Sequence, residues 1–206
     1  MKAVISTLRP MLARLGRAIF PRRLWVGLAV VAAAAFLVEP RPILGRWHME
    51  AELASLALVL LGLGLRTWAG GCAGRHTREA RIEAPRLVTG GPYARLRNPI
   101  YFASILLGFG MVGLVGDPWL LAMHIGVCVL LYAGIVPAEE EFLRQRFGED
   151  YSRYCANVPR MWPRLRAWPE AEPVHWDPSA LLGEFRLGLV LVAIYAGLHG
   201  AAWLRG

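Results

Sequence analysis

The chain has 206 residues, 56% of them hydrophobic, with 23 Lys+Arg against 15 Asp+Glu for a net charge of +8. The positive charges are split among several segments and form no compact basic module with interleaved aromatics, which argues against nucleic-acid binding and for membrane topology and headgroup contact. Cys72, Cys128 and Cys155 lie far apart without ligand spacing, arguing against a disulfide framework and a zinc site.

Residues 1–23 interleave Lys2, Arg9, Arg14, Arg17, Arg22 and Arg23 with Leu8, Met11, Leu12, Leu15, Ile19 and Phe20, the spacing of an amphipathic helix on a membrane surface, ended by Pro21. Residues 24–38 are the first apolar run, short for a span of about twenty residues, so flanking residues complete it. No cleavable signal is expected, because the Ala-rich stretch gives way to Glu39-Pro40 without a small-residue cleavage site and a soluble domain beyond it. The second span, 49–69, starts at Glu50 and Glu52 and ends at Arg66 and Gly70-Gly71. Residues 70–98 hold Arg75, Arg78, Arg81, Arg86, Arg95 and Arg97, too many charges to cross a bilayer. The third and fourth spans, 99–115 and 119–136, are joined by Gly116-Asp117-Pro118, turn chemistry suited to a tight helical hairpin. Residues 138–169 are charged again, with a helix over about Glu139 to Asn157 ended by Pro159, and 181–204 is the last span.

The chain is therefore expected to be a single all-α membrane domain over 1–206, a polytopic bundle of about five spans with an N-terminal amphipathic helix and helical segments outside the bilayer. Five spans put the arginines of 1–23, 70–98 and 138–169 on one side. The short turns at 39–48 and 116–118 fall on the other, which is the positive-inside pattern with a cytoplasmic N-terminus. Lys2 is the only lysine, and the Ala, Gly and Leu content fits a GC-rich bacterial genome, hence a bacterial inner membrane.

Two blocks carry the chemistry. The first runs Leu87-Val-Thr-Gly-Gly-Pro-Tyr-Ala-Arg-Leu-Arg-Asn-Pro-Ile-Tyr101. Gly90-Gly91-Pro92 reads as a turn that lets backbone approach a ligand, and Asn98-Pro99 as a helix start whose free amides and dipole suit a carboxylate. Tyr93 and Tyr101 offer aromatic faces, suitable neighbours for a sulfonium cation. The second block begins at Glu139-Glu140-Glu141, directly after a span, and continues through Phe147-Gly148, Tyr151, Tyr154 and Val158-Pro159-Arg160. On a helix the three carboxylates fan out, so one or two can enter a site to hold an ammonium or ribose hydroxyls or to accept a proton. Each block also has a plainer reading: an interfacial loop before a helix start, and acidic residues favoured by a helix dipole. His124 and His199 lie within spans, where helix-to-helix hydrogen bonding competes with a proton-carrying role.

In order and spacing the two blocks resemble the isoprenylcysteine carboxyl methyltransferases and their phospholipid methyltransferase relatives, over about Leu87 to Pro163. The matching pattern is Leu-Val-Thr-Gly-x-Pro-Tyr, then Arg-x-Pro-x-Tyr at a membrane helix start, then Glu-Glu, Phe-Gly, Tyr and Tyr. The resemblance implies a small helical membrane enzyme that binds S-adenosylmethionine near the cytoplasmic surface and receives a lipid-like acceptor from the bilayer. It implies Leu87 and Val88 along the cofactor and Gly90 in the cofactor turn. Tyr93 would be a cofactor contact, Arg97, Asn98, Pro99 and Tyr101 would occupy the Arg-x-Pro-x-Tyr positions, and Glu140 would be the cofactor-binding glutamate with Glu139 its catalytic partner. Two departures stand out: Asn98 replaces a histidine, and Val136 stands where the isoprenylcysteine enzymes carry an arginine for the substrate carboxylate.

The function expected is methyl transfer from S-adenosylmethionine to a lipid-like acceptor, either a carboxylate or a phosphatidylethanolamine-type amine, without a metal. Two alternatives are an NADPH-dependent reductase of the membrane sterol type, which the run Tyr154-Cys155 to Val158-Pro159 also resembles, and a non-catalytic scaffold or small transporter.

Overall fold

The computed structural model describes residues 48–74 and 86–205, which are helical throughout their ordered elements and contain no strand. The amphipathic helix expected at 1–23, the span at 24–38 and Arg75, Arg78 and Arg81 lie outside the described residues. Helix α1 runs over His48–Ala73, α2 over Pro99–Val115 and α3 over Pro118–Leu130. A π-helical turn at Leu131–Ile135 leads into α4, Val136–Asn157, and α5 spans Ser179–Arg205. Among the described residues, three helical stretches are long and apolar enough to cross a bilayer, Met49–Ala73, Pro118–Asn157 and Ser179–Gly197, while α2 is a shorter apolar helix. Many of their large apolar side chains face outward, with Leu60 and Leu61 on α1 and Phe185 and Leu189 on α5 more than half exposed. That inversion is what a lipid solvent favours, and it makes this an integral membrane protein.

Local chemistry sets the hairpin. Gly116 closes α2 in the left-handed region, φ 74°, donating its N–H to Val112 O. Asp117 Oδ1 then accepts from the amides of Trp119 and Leu120 at 2.8 and 3.0 Å, capping α3, where Pro118 has no N–H to satisfy.

Two boundaries differ from the expectation. The fourth span and the polar helix after it run as one rod from Pro118 past Pro137 to Phe147, and Gly148, at φ 52° and ψ −117°, kinks it before the last stretch to Asn157. Pro137 lacks an N–H and crowds the preceding turn, and the wider π turn just before it accommodates that without ending the helix. Helix α1 continues through Gly70-Gly71 to Ala73, because the Trp176 indole packs on Gly71, where a Cβ would come within 2.0 Å of Nε1.

Helices α1 and α2 pack through small residues. A Cβ on Gly62 would lie 2.8 Å from Leu107 Cβ, and one on Gly110 would lie 2.6 Å from Ser55 O. Such close approach is how helices gain dispersion contacts where lipid removes the hydrophobic drive. Polar ties supplement it. Arg66 Nε donates to Glu184 Oε2 at 2.9 Å and Arg66 Nη1 to Ser104 Oγ at 2.5 Å, joining α1, α5 and α2. His124 Nε2 lies 3.1 Å from Ile105 O and its ring meets Phe109 edge-on at 4.7 Å, so this histidine serves helix packing. His199 sits in the last turns of α5, beyond the side chains described.

Residues 158–178 form no helix and run as a strap along 86–98. Arg97 N donates to Pro159 O, Arg164 N to Arg95 O and Trp168 N to Ala94 O, at 2.8–3.0 Å. Farther on, Glu172 N donates to Thr89 Oγ1 at 3.0 Å and Asp177 N to Gly71 O at 3.0 Å. These bonds satisfy backbone groups that neither segment pairs internally.

Candidate active site at the membrane boundary

The two sequence blocks meet where α2 begins and the apolar part of the long rod ends. Asn98 precedes Pro99, the first residue of α2, and both are buried. Glu140 lies one turn into α4 and is 2% exposed. Asn98 Nδ2 donates to Glu140 Oε1 at 3.3 Å, Arg97 Nη1 stands 3.4 Å from the same oxygen, and Arg160 Nε donates to it at 3.0 Å. Arg160 Nη2 also donates to Glu140 Oε2. A carboxylate this deep is tolerable only with such partners. The hydrogen bond to Glu140 in turn raises the Arg160 guanidinium above its ordinary value, so it stays charged.

Glu139 is held differently. The Tyr101 side chain hydrogen-bonds its carboxylate, yet Glu139 Oε2 is buried without a partner, as is Arg97 Nε. Buried unpaired polar atoms are rare, and strain or a catalytic role is among the reasons a fold keeps one. Tyr93 lies within electrostatic reach of Glu139 and of Arg66; burial first, then the Glu139 charge, pushes its phenol well above the ordinary value, with Arg66 opposing. Tyr154 fixes this corner by donating its hydroxyl to Tyr93 O at 2.8 Å. The third carboxylate, Glu141, faces solvent and pairs with Arg144 at 2.9 Å.

The remaining expected residues sit to one side. Leu87 packs on a cluster of Tyr151, Tyr154, Val158 and Trp168, with Val88 partly buried beside it. Gly90 does permit close backbone approach, but the approaching chain is the strap: a Cβ there would fall 2.1 Å from Glu172 O. Val136 is fully buried. Next to this corner, a cleft of about 500 Å³ is lined by Thr67, Trp68, Cys72, Gly91, Val174 and Trp176. It adjoins a second of about 510 Å³ between Leu60, Leu61, Phe102 and Leu106, with Gly64 and Trp68 common to both.

Sequence reading did not single out Arg160 as a partner of Glu140, nor the Arg66–Glu184 pair. A lone arginine and a lone glutamate near the ends of two apolar runs were the available signal for that pair, since unpaired charges there are costly. Nothing local marked Cys155, whose Sγ accepts from Arg97 Nη1 at 3.0 Å.

Residues 51–150, which contain most of α1, the first block, the hairpin and Glu139-Glu140, match the sequence profile described as phospholipid methyltransferase. The chain carries a phospholipid methyltransferase family domain. Among curated relatives, protein-S-isoprenylcysteine O-methyltransferase B of Arabidopsis thaliana is 32% identical over 108 residues, 50% of this chain and 55% of that one. A probable protein-S-isoprenylcysteine O-methyltransferase of Oryza sativa subsp. indica is 31% identical over 107 residues, 50% of this chain and 56% of its own. The cobalt-zinc-cadmium resistance protein CzcN of Cupriavidus metallidurans is 30% identical over 113 residues, 53% of this chain and 50% of the relative. The chain thus spans about half the length of the curated relatives it matches. No solved structure matches it. Among the described residues of this phospholipid methyltransferase domain and its flanks, no cluster of His, Cys, Asp and Glu could hold a metal ion.

Proposed function

We propose that the protein is an integral membrane methyltransferase that uses S-adenosylmethionine to methylate a lipid-like acceptor. One observation carries the proposal: a phospholipid methyltransferase domain in which Arg97, Asn98 and Tyr101 converge on Glu139-Glu140 at a membrane boundary. The methyltransferase names of the Arabidopsis and rice relatives support the same reaction class and give none to the reductase or scaffold readings.

S-adenosylmethionine supplies a methyl group on a sulfonium cation. The residues suit such a ligand: Tyr93 and Tyr101 offer aromatic faces and Glu139 a carboxylate for its positive charge. The unpartnered Arg97 Nε and the first amides of α2 suit its carboxylate. The adjoining cleft of about 500 Å³ lies in the usual range for small-molecule sites. In this reading Glu140 holds Arg97, Asn98 and Arg160 in place, while Glu139 faces the reacting groups. Leu87, Val88 and Gly90 act from the rim, shaping the wall beneath the strap, and Pro99 aims the amides of α2.

The acceptor is an amphiphile supplied by the bilayer, carrying either a carboxylate or a phosphatidylethanolamine-type amine. Glu139 favours the amine, because N-methylation must release a proton and this carboxylate can take it, whereas a carboxylate acceptor releases none. Val136, in place of an arginine, agrees. The arginine distribution supports a cytoplasm-facing site in a bacterial inner membrane, with the N-terminus inside. Thermal unfolding of the purified protein with S-adenosylhomocysteine or NADPH tests the cofactor. Stabilisation by S-adenosylhomocysteine alone supports the reading, stabilisation by NADPH alone moves the protein to the reductases, and no response to either favours a scaffold.

A further inference from the structure

Residues 161–167 invert the usual pattern of a polar connection. All seven are exposed, large apolar ones among them: Met161 is 45%, Trp162 77% and Leu165 98% exposed. The backbone around them is nonetheless tied down, through Arg97 N to Pro159 O, Arg164 N to Arg95 O and Trp168 N to Ala94 O. A tethered loop that holds tryptophan and leucine outward marks a contact surface.

Charge and position identify what it contacts. Residues 151–169 hold Arg153, Arg160, Arg164 and Arg166 with no Asp or Glu. Pro163, at the middle of the loop, lines the apolar cleft with Leu60, Leu61, Phe102 and Leu106 of the membrane helices α1 and α2. The loop therefore hangs beside the first turns of α2, on the surface that Leu60 and Leu61 present to lipid. Tryptophan seats at the level where acyl chains meet headgroups, and arginine there reaches outward to phosphate.

We propose that residues 161–166 are an interfacial anchor, seating Trp162 and Leu165 in the bilayer leaflet beside the candidate site and setting Arg164 and Arg166 against anionic phospholipid headgroups. The same strap carries Arg160 to Glu140 and bonds 94–97, which places the anchor on the segment that holds that corner together. An anionic surface favours the seated loop about fivefold per arginine.

The test is fluorescence of the full chain in phosphatidylcholine nanodiscs, with and without phosphatidylglycerol, using lipids brominated just below the headgroup. Wild type minus Trp162→Phe isolates Trp162. That component should be quenched by brominated lipid and spared by aqueous iodide. Quenching should strengthen with phosphatidylglycerol, and by less in Arg166→Gln, which removes one arginine's share of that preference. Leu165→Asp, at a position without packing to lose, should weaken the quenching while leaving thermal unfolding unchanged. A Trp162 component quenched by iodide and not by brominated lipid overturns the anchor. Protection from both quenchers overturns it too, since a second copy or another protein would then cover the loop. No readout involves methyl transfer, so the anchor and the proposed reaction fail separately.

Discussion

The Asn98 side-chain amide donates to Glu140 Oε1 at 3.3 Å, joining residues 42 apart in the chain at the point where two membrane helices meet. With Arg97 and Arg160 on the same carboxylate, it makes one buried polar knot out of the linker, the long rod and the strap. Removing the carboxylate leaves Arg97, 15% exposed, without a counter-charge. Glu140→Gln should therefore cost about 3 kcal/mol. Arg160→Gln should cost about 1 kcal/mol, because Arg160 is 40% exposed and Arg97 still faces the carboxylate. Thermal unfolding in one detergent checks the order; equal losses would contradict the knot.

Gly90 tests the strap. A Cβ there meets Glu172 O at 2.1 Å, backbone that cannot rotate away. Gly90→Ala should destabilise by about 2 kcal/mol and expose the Glu172 amide, now bonded to Thr89 Oγ1, to faster hydrogen exchange. Unchanged exchange across 168–174 would mean the strap is not held there.

Arg66 and Glu184 form a pair joining α1 to α5, with side chains 23% and 11% exposed. Arg66→Leu or Glu184→Leu alone should cost about 2 kcal/mol or more, by leaving one charge stranded, while the double replacement should recover much of the loss. Additive losses would show that the two side chains act independently.

Tyr93 sets an alkaline limit. Its folded phenol titrates well above the ordinary value, which is near 10 for the unfolded chain. The stabilising difference is fully present below the unfolded value and is lost as pH rises from there toward the folded one. Tyr93→Phe should flatten the fall of thermal stability above about pH 10 while leaving neutral pH little changed. An identical alkaline limb in both proteins would contradict the burial of this phenol.

Much of the frame was legible because it rests on local rules. Asn98-Pro99 opens α2 and Gly116-Asp117-Pro118 turns the hairpin through bonds made within four residues, which sequence displays directly. Pro137 shows where local rules stop: by itself it should break a helix, and the π turn that absorbs it depends on the helix around it. The strap bonds and the Arg66–Glu184 pair join residues far apart in the chain, by as many as 118 positions, with no period to betray them. At the site, the residue types of both blocks were readable. The contrast between a fully paired Glu140 and a Glu139 with a bare oxygen involves Arg160, whose approach only the folded chain reveals.

The central claim is that Glu139 serves methyl transfer to a bilayer-borne acceptor. Its most direct measurement is incorporation of labelled methyl from S-adenosylmethionine into extractable lipid by wild-type and Glu139→Gln protein in proteoliposomes that contain phosphatidylethanolamine. The expected result is labelled lipid with the wild type and a rate lowered about a hundredfold or more in the variant, with thermal unfolding little changed because Glu139 Oε2 makes no bond in the fold. Equal labelling by the two proteins would contradict the role of Glu139, and no labelled lipid from either would contradict the acceptor.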